Sequence, residues 1–276
     1  MKRKRLIGTA IAQTVLLIAV LFALFPVFWV ILTSFKNNAD ATAPANQAFD
    51  FTPTLDNFQG VLASSVFQAA LQTSLVVTVT TTLAVVVVAL LGGYAFARLR
   101  VPGRRVLVAV MVLVQVIPGI VLLIPLFRIV SQARLYDQWI SLIIVLTGLL
   151  TPFATWLMLA FIRSFPEEIE EAAMIDGANR FQMFRHVLIP MVAPGLVTAA
   201  IFTAIAAWNS FLIPVILGQS RAQTLTVYVA GFVTQQEIKW AELCATAVII
   251  LAPIVLFTLV MQRPLVKGIT AGSLKS

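Results

Sequence analysis

Charged residues are scarce in this sequence. Only 11% of its 276 residues are charged and 60% are hydrophobic, with a mean hydropathy of +0.99. Soluble domains carry about 25% charged residues, so the composition excludes an ordinary soluble domain and indicates a membrane protein. The single cysteine, Cys244, cannot form a disulfide within the chain, and we expect it to serve packing.

Residues suited to catalysis are also scarce. The sequence has one histidine, His186, and no phosphate-binding loop of the G-x-x-x-x-G-K-[ST] type. Glutamates cluster at positions 167, 168, 170 and 171, but no nucleophile or metal-binding partner accompanies them. We therefore expect no enzymatic activity, and no metal or cofactor bound by this chain.

Long apolar runs dominate what is present. A helix needs about 20 mostly apolar residues to cross a bilayer. The runs that reach this length are Leu6–Thr33, Ala69–Ala97, Val106–Phe127, Trp139–Ile162, Met191–Leu217 and Ala241–Gln262. Because lipid offers the backbone no hydrogen-bond partners, such runs must form helices. The sequence predicts an all-α membrane protein, with six transmembrane helices in a single domain over residues 1–276.

The basic residues orient these helices. Six spans put both termini on one side, and most lysines and arginines fall on that side, at 2–5, 98–105, 163–185 and 263–275. The opposite side holds only Lys36, Arg128, Arg134, Arg221 and Lys239. The positive-inside rule then places both termini and the loop 163–190 in the cytoplasm. The net charge of +8 is thus a sign of topology and does not indicate a nucleic-acid-binding surface.

The polar loop 163–190 has the pattern of two short helices. Ser164 and Glu167 fit a capping box at the start of the first helix, and Gly177 fits its end. Apolar side chains on such a hairpin indicate either a protein partner or contact with lipid headgroups. The residues alone leave both interpretations open.

The second of these helices is expected to follow the glycine. Asn179 and Gln182 fit another capping box, and Pro190 is expected to limit the helix. Phe181 and Phe184 would lie on this helix and contribute apolar surface.

Part of the loop resembles the EAA loop of ABC importer permeases. Glu171-Ala172-Ala173, then Gly177, then Val187-x-Ile189-Pro190 match the family motif of Glu-Ala-Ala, three residues, Gly, nine residues and Ile-x-Leu-Pro. The resemblance implies that residues 163–190 form a coupling loop, which is seated in a cleft of a nucleotide-binding subunit. The coupling residues that it implies are Glu171, Ala172, Ala173, Gly177, Phe181, Phe184 and Pro190.

Other segments are similar to the second permease of carbohydrate importers of the maltose type. They are Phe25–Lys36, Gly93–Arg104, Ile124–Phe127, Ala207–Phe211 and Val266–Gly272. The resemblance implies the type I ABC importer permease fold, in a bacterial or archaeal cytoplasmic membrane. The partners that it implies are a second homologous permease, a dimeric ATPase that binds ATP and Mg, an extracytoplasmic sugar-binding protein or lipoprotein, and membrane lipid.

Polar residues within the apolar runs are candidates for a sugar pathway. Trp208, Asn209 and Ser210 interrupt the fifth run, and Gln115 lies in the third. An indole beside an amide suits a sugar, which offers CH faces for stacking and hydroxyls for hydrogen bonds. The same residues also suit packing between helices.

The connection between the last two runs is a further candidate. It holds Gln219, Arg221, Gln235 and Gln236. In the family this loop faces the binding protein, so the resemblance implies the same role here. A solvated connector is the alternative.

Together these features predict the permease subunit of an ATP-driven importer for a sugar, specifically a di- or oligosaccharide. One alternative is an ABC permease for glycerol phosphate or another small polar solute, and another is a self-sufficient secondary carrier or channel. No run carries an ionisable residue deep in its middle, which disfavours an ion-driven carrier.

Overall fold

The computed structural model describes the backbone of residues 2–234 and 237–273, and the side chains of residues 12–44, 46–234 and 237–256. Within these residues the regular secondary structure is helical, apart from an isolated bridge between Val233 and Ile238. The helices are α1 (Lys2–Ser34), α2 (Asn38–Ala41), α3 (Asp56–Ala63), α4 (Ser65–Arg98), α5 (Arg104–Val114), α6 (Gly119–Gln132), α7 (Trp139–Arg163), α8 (Glu168–Ile175), α9 (Arg180–Met183), α10 (Ile189–Trp208), α11 (Leu212–Leu217), α12 (Leu225–Ala230) and α13 (Trp240–Ser273).

Four helical stretches are long and apolar enough to cross a membrane. They are Ala12–Ser34, Ser65–Arg98, Trp139–Arg163 and Arg180–Trp208. A fifth span is possible if α5 and α6 are counted together, while the described apolar part of α13, Trp240–Leu256, is shorter than the others. The predicted helical membrane architecture is therefore confirmed, and the number of six spans stays a prediction.

The third predicted run is broken. α5 and α6 meet at an angle of 101°, with Gln115 at the end of α5 and Pro118 immediately before α6. Proline has no backbone N–H and its ring obstructs the preceding turn, so it favours the start of a new helix over the continuation of an old one.

The fifth predicted run starts and ends earlier than the hydropathy indicated. Residues Arg180–Trp208 form one continuous helical stretch, in which Pro190 lies just after a π-helical turn at Phe184–Leu188. The prediction that Pro190 limits the loop helix is wrong. The wider π turn absorbs the lost hydrogen bond and the bulk of the proline ring, so the helix passes through this position.

The chain divides into two compact units. One contains residues 1–68 and 229–253, and the other contains residues 69–228 and 254–276. In the first unit Lys36 is only 3% exposed: its Nζ donates to the carbonyl oxygen of Ala48 (2.6 Å) and lies 4.9 Å from the centre of the Phe51 ring. Asn57 Nδ2 donates to the carbonyl oxygen of Lys36 (2.7 Å). These contacts fix the segment that follows α1.

Helix α7 is central to the second unit, where it packs against α5, α10 and α11. Glycines allow close approach between helices. A Cβ at Gly93 would lie 2.8 Å from Met158 Cβ, and one at Gly195 would lie 2.5 Å from Phe161 Cγ. The core of this unit forms two clusters, one around Met158 and Ile162 and the other around residues of α6, α7 and α11.

Candidate functional site

The loop between α7 and α10 is built from helix α8 and the short helix α9. At the end of α8, the N–H of Gly177 donates to the Met174 carbonyl (3.1 Å) and the N–H of Ala178 donates to the Ala173 carbonyl (3.1 Å). Gly177 has φ +92°, a conformation that side chains disfavour. The prediction that this glycine ends the first loop helix is confirmed.

Local capping was predicted correctly at the second loop helix and wrongly at the first. Asn179 Oδ1 accepts from the N–H of Gln182 (2.9 Å), and Gln182 Oε1 accepts from the N–H of Asn179 (2.9 Å). Ser164 instead donates to the Phe161 carbonyl (2.7 Å) at the end of α7, and α8 begins after Glu167 without a side-chain cap. The unpaired carbonyls of the preceding helix compete for this hydroxyl.

The loop exposes Glu171, the glutamate of the EAA motif, and several large apolar side chains. Glu171 and Ala172 are exposed, while Ala173 is half-buried against the core. Ile175 is 85% exposed and Phe181 is 70% exposed. Large apolar side chains that are exposed to this extent favour contact with another surface.

The remaining coupling residues of the motif face different surroundings. Phe184 is half-buried and packs edge to face on Tyr94, with 5.5 Å between ring centres. Pro190 is exposed at the start of α10, and Gly177 is exposed at the loop's turn. The structure thus separates Phe181, on the surface, from Phe184, which joins the loop to the core.

A buried ion pair attaches α8 to the end of α4. Arg98 Nε donates to Glu170 Oε1 (2.7 Å), and its Nη2 donates to the carbonyl oxygens of Ile162 (3.1 Å) and Phe165 (3.0 Å). The side chains of Arg98 and Glu170 are only 8% and 7% exposed. The guanidinium therefore ties together the ends of α4, α7 and α8.

Sequence reasoning did not identify this pair. It treated Arg98 as one of many basic residues that mark the cytoplasmic side, and Glu170 as one of four clustered glutamates. Only Glu170 of these four is buried. No periodicity in the sequence distinguishes it, because the pairing joins residues 72 positions apart.

The candidate pathway residues do not come together in one place. Gln115 borders a cavity of about 430 Å³ at the bend between α5 and α6, together with Phe153, Phe202 and Thr203. The residues that line this cavity do not include Trp208, Asn209 or Ser210.

The Trp208–Ser210 segment lies where α10 ends, whereas the sequence placed it inside a run that continues to Leu217. Trp208 is 8% exposed, and its Nε1 has no hydrogen-bond acceptor among the described residues. Asn209 is exposed, and its Nδ2 donates to the Ile205 carbonyl of its own helix (2.9 Å). The carbonyl of Ser210 accepts from Thr226 Oγ1 (2.7 Å).

One carboxylate holds the segment that follows α11. Asp137 accepts from the N–H groups of Ser220, Arg221 and Ala222 (each 3.1 Å) and from Ser220 Oγ (2.8 Å). Its own N–H donates to the Leu217 carbonyl (2.9 Å). We call this arrangement the Asp137 clamp.

The clamp also changes the acidity of its carboxyl group. Burial disfavours the charged form of Asp137, but the hydrogen bonds from the backbone of Arg221 and Ala222 and from Ser220 outweigh it and lower the pKa of Asp137. The carboxylate is thus stabilised in the charged form that accepts these bonds.

The clamp orders part of the candidate binding-protein loop. Arg221 is exposed, while its backbone N–H is held by the clamp and its carbonyl accepts from Trp139 Nε1 (3.3 Å). Gln219 is exposed immediately before the clamped residues. Gln235 and Gln236 lie outside the described residues.

Comparison with known proteins supports one interpretation of these features. The trehalose transport system permease protein SugB of Mycobacterium tuberculosis is 37% identical over 92% of this chain and 93% of its own length. The diacetylchitobiose uptake system permease protein DasC of Streptomyces coelicolor is 32% identical over 91% of each chain. In structure, a bacterial ABC transporter involved in import of the acidic polysaccharide alginate matches 95% of this chain and 98% of its own, with a TM-score of 0.77 and 24% identity.

The alginate transporter shows the fold, and the sequence relatives and a family match show the family. Residues 86–271 match the family described as binding-protein-dependent transport system inner membrane component. With its apolar helices and its EAA-type loop, this chain belongs to that family.

Proposed function

We propose that this chain is the transmembrane permease subunit of an ATP-driven ABC importer for a di- or oligosaccharide, which an extracytoplasmic binding protein delivers. The observation that carries the proposal is the exposed α8–α9 loop, which presents the EAA spacing on a helix anchored by Arg98 and Glu170. Relatives named for trehalose and diacetylchitobiose uptake support a sugar as the substrate.

The proposed topology has six transmembrane helices with both termini in the cytoplasm. In this arrangement α5 and α6 form the third span, and α13 forms the sixth. The loop 163–190 is then cytoplasmic, whereas the α6–α7 and α11–α12 connections are extracytoplasmic. The arrangement satisfies the positive-inside rule, because the loop 163–190 and the α4–α5 connection hold basic residues.

The proposed complex contains a second homologous permease, a dimeric ATPase and a binding protein or lipoprotein. The chain carries no catalytic role of its own, and ATP and Mg bind to the partner ATPase. In support, one solved alginate transporter that shares this fold is in complex with an alginate pentasaccharide-bound periplasmic protein.

In the proposed mechanism, α8 acts as a coupling helix. The side chains of Glu171, Ala172 and Phe181 contact the ATPase, and the Gly177 turn shapes the docking surface. When ATP closes the ATPase dimer, the loop moves with it. The Arg98–Glu170 pair transmits that movement to α4 and α7, because it joins their ends to α8. The permease pair then alternates between inward-facing and outward-facing states.

The proposed sugar pathway uses Gln115 at its cavity, and Trp208, Asn209 and Ser210 where α10 ends. On the extracytoplasmic side Gln219, Arg221, Gln235 and Gln236 face the binding protein. For Gln115 and for Trp208, Asn209 and Ser210, this part of the proposal rests on their placement at helix ends.

Co-purification from the native membrane tests the proposal. We expect the tagged chain to recover a second permease and an ATPase, identified by mass spectrometry. A Glu171→Arg variant should lose the ATPase and keep the second permease, while Glu168→Arg, a matched charge reversal on the same helix outside the motif, should keep both. A chain recovered alone, with sugar uptake unaffected by Glu171→Arg, contradicts the proposal and favours a self-sufficient carrier.

A further inference from the structure

The second compact unit contains another cavity, which is lined by other residues than the cavity beside Gln115. It has a volume of about 460 Å³ and lies between α6 and α11, where aliphatic side chains from both helices form part of its wall. Its remaining lining residues are Phe127, Arg128, Tyr136 and Gln219. Small-molecule sites in proteins have volumes of about 300–1,000 Å³, so the cavity has room for a sugar unit.

The polar groups of this cavity are available to a ligand. Among the described residues, nothing forms an ion pair or hydrogen bond with the Arg128 guanidinium, the Tyr136 hydroxyl or the Gln219 amide. Arg128 and Gln219 are exposed and Tyr136 is half-buried. A guanidinium, an amide and a hydroxyl provide both donors and acceptors around one concave surface.

The cavity also offers aromatic surface beside these donors. Phe127 and Tyr136 meet nearly at right angles (82°), with 5.6 Å between ring centres. Stacking of CH groups on a ring, with planar donors alongside, suits a sugar better than it suits a purely apolar ligand. A lipid chain would leave the guanidinium and the amide without partners.

The Asp137 clamp holds two of these residues in place. Tyr136 directly precedes Asp137, and Gln219 directly precedes Ser220, the first of the residues that the carboxylate binds. The clamp therefore fixes two connections of the chain against each other at the edge of the cavity. A site whose groups are ordered before binding loses less entropy when the ligand arrives.

We infer that this cavity is a sugar subsite at the extracytoplasmic mouth of the permease. Phe127 and Tyr136 stack on the sugar ring, while Arg128 and Gln219 donate to a pair of adjacent oxygens. Those oxygens belong either to vicinal hydroxyls or to a carboxylate of an acidic sugar. The inference rests on the proposed function, because it assumes that the substrate is a sugar and that the α6–α7 connection is extracytoplasmic.

Equilibrium binding to the purified complex in lipid nanodiscs tests the inference. The probes are radiolabelled trehalose and maltose as neutral sugars, and an alginate disaccharide as an acidic one. We expect the wild type to bind at least one probe. Arg128→Gln and Gln219→Leu should each weaken that binding about tenfold or more, because each removes a hydrogen bond to the ligand. Arg134→Gln is the matched control, since Arg134 belongs to the neighbouring connection and does not line the cavity; its binding should equal that of the wild type.

The two probe classes identify the group that Arg128 binds. Weakening of the acidic probe alone assigns the guanidinium to a carboxylate, and weakening of all bound probes assigns it to hydroxyls. Recovery of the ATPase with each variant, measured in the same preparation, shows that the variant has folded and assembled.

Other outcomes overturn the inference. Variants that bind and import every probe as the wild type does would exclude the subsite while leaving the importer function intact. An Arg128→Gln effect seen only in nanodiscs of anionic lipid would assign the arginine to a phospholipid headgroup and also exclude it. A wild-type complex that imports none of the sugars contradicts the proposed function itself. In that case the Arg134→Gln control also shows no uptake, which distinguishes this outcome from failure of the subsite alone.

Discussion

At the scale of single residues, the buried Arg98–Glu170 pair makes the sharpest prediction. Arg98→Met leaves the Glu170 carboxylate buried without its partner, which costs about 3–5 kcal/mol in comparable pairs. We expect a lower thermal unfolding midpoint and weaker association with the ATPase. Replacing both residues, as Arg98→Met with Glu170→Leu, should restore much of the thermal stability but not the coupling of ATP hydrolysis to transport.

The control for this experiment is the neighbouring Arg100→Met, because Arg100 is exposed. It should unfold at the wild-type temperature and recover the ATPase normally. If Arg98→Met behaves like Arg100→Met in both measurements, the pair does not hold the loop.

The Asp137 clamp predicts a dependence on pH. The pKa of Asp137 is lower in the folded protein than in the unfolded chain, so its stabilising contribution is present above the unfolded value of about 3.9 and is lost as the pH falls through the folded value. Hydrogen exchange of the Ser220–Ala222 amides, corrected for intrinsic rates, should show protection at pH 6 that is lost only after the pH falls below the ordinary aspartate value of about 3.9. Asp137→Asn should lose part of that protection at pH 6; equal protection in wild type and variant would show that the carboxylate does not order this segment.

Short-range residue signals were predictable, whereas long-range pairings were not. The Asn179–Gln182 capping box and the turn at Gly177 depend on neighbours in the sequence, and both were predicted. Arg98 and Glu170 meet only because α4, α7 and α8 end at the same place. The Ser164 cap failed for a local reason of another kind, since a nearer acceptor at the end of α7 takes its hydroxyl.

At the scale of helices and turns, a substitution at Gly177 would strain the backbone of the loop without creating a steric clash. A Cβ at this position meets no atom within 4 Å, but the φ of +92° disfavours any side chain. Gly177→Ala should therefore strain the turn by about 1–2 kcal/mol without a clash. We expect fewer sugar molecules imported per ATP hydrolysed in reconstituted vesicles.

The matched control is Gly148→Ala. Gly148 also has open space around its Cβ, yet it lies inside α7 with an ordinary backbone conformation. An alanine there should leave the transport ratio unchanged. If Gly177→Ala imports as many sugar molecules per ATP hydrolysed as the wild type does, the turn tolerates a side chain and its conformation does not matter for coupling.

Most apolar helices were predictable from hydropathy, but their interruptions were not. Length and apolarity identify α4, α7 and the helix that contains α10, because a backbone in lipid must satisfy its own hydrogen bonds. Proline gives an ambiguous signal. Pro118 starts α6 after a bend of 101°, whereas Pro190 lies within a continuous helical stretch, where the preceding π turn accommodates it.

At the scale of the whole molecule, the chain has more apolar surface than it can bury by itself. The most apolar part of the α1 stretch Ala12–Ser34 has no buried residues, although Thr33 and Ser34 at its end are buried, and only about a third of the comparable part of α7 is buried. Apolar surface of this extent favours contact with lipid or with other proteins. Domain organisation is less predictable from composition: the single permease domain stays a prediction, since the described chain divides into two compact units.

The proposed topology can be checked with the chain's single cysteine removed. Cys244 is buried in α13, so Cys244→Ala gives a background without thiols. In intact cells a membrane-impermeant maleimide should label Asp50→Cys, which lies in the first proposed extracytoplasmic segment. It should label Glu168→Cys only after the membrane is opened. Labelling of Glu168→Cys in intact cells would show that this loop faces the outside of the cell, where it could not contact the ATPase.

The π-helical turn at Phe184–Leu188 holds one residue more than an α-helical turn for nearly the same rotation about the helix axis. Each residue advances an α-helix by about 100°. Removing one residue from the π turn, with a return to α winding, would therefore leave the direction of α9 nearly unchanged, whereas removing one residue from an α-helical part of the stretch would rotate α9 by roughly that angle around the axis of α10. The turn thus absorbs a difference of one residue in the spacing from Gly177 to Pro190 and keeps Phe181 on the same side of the helix.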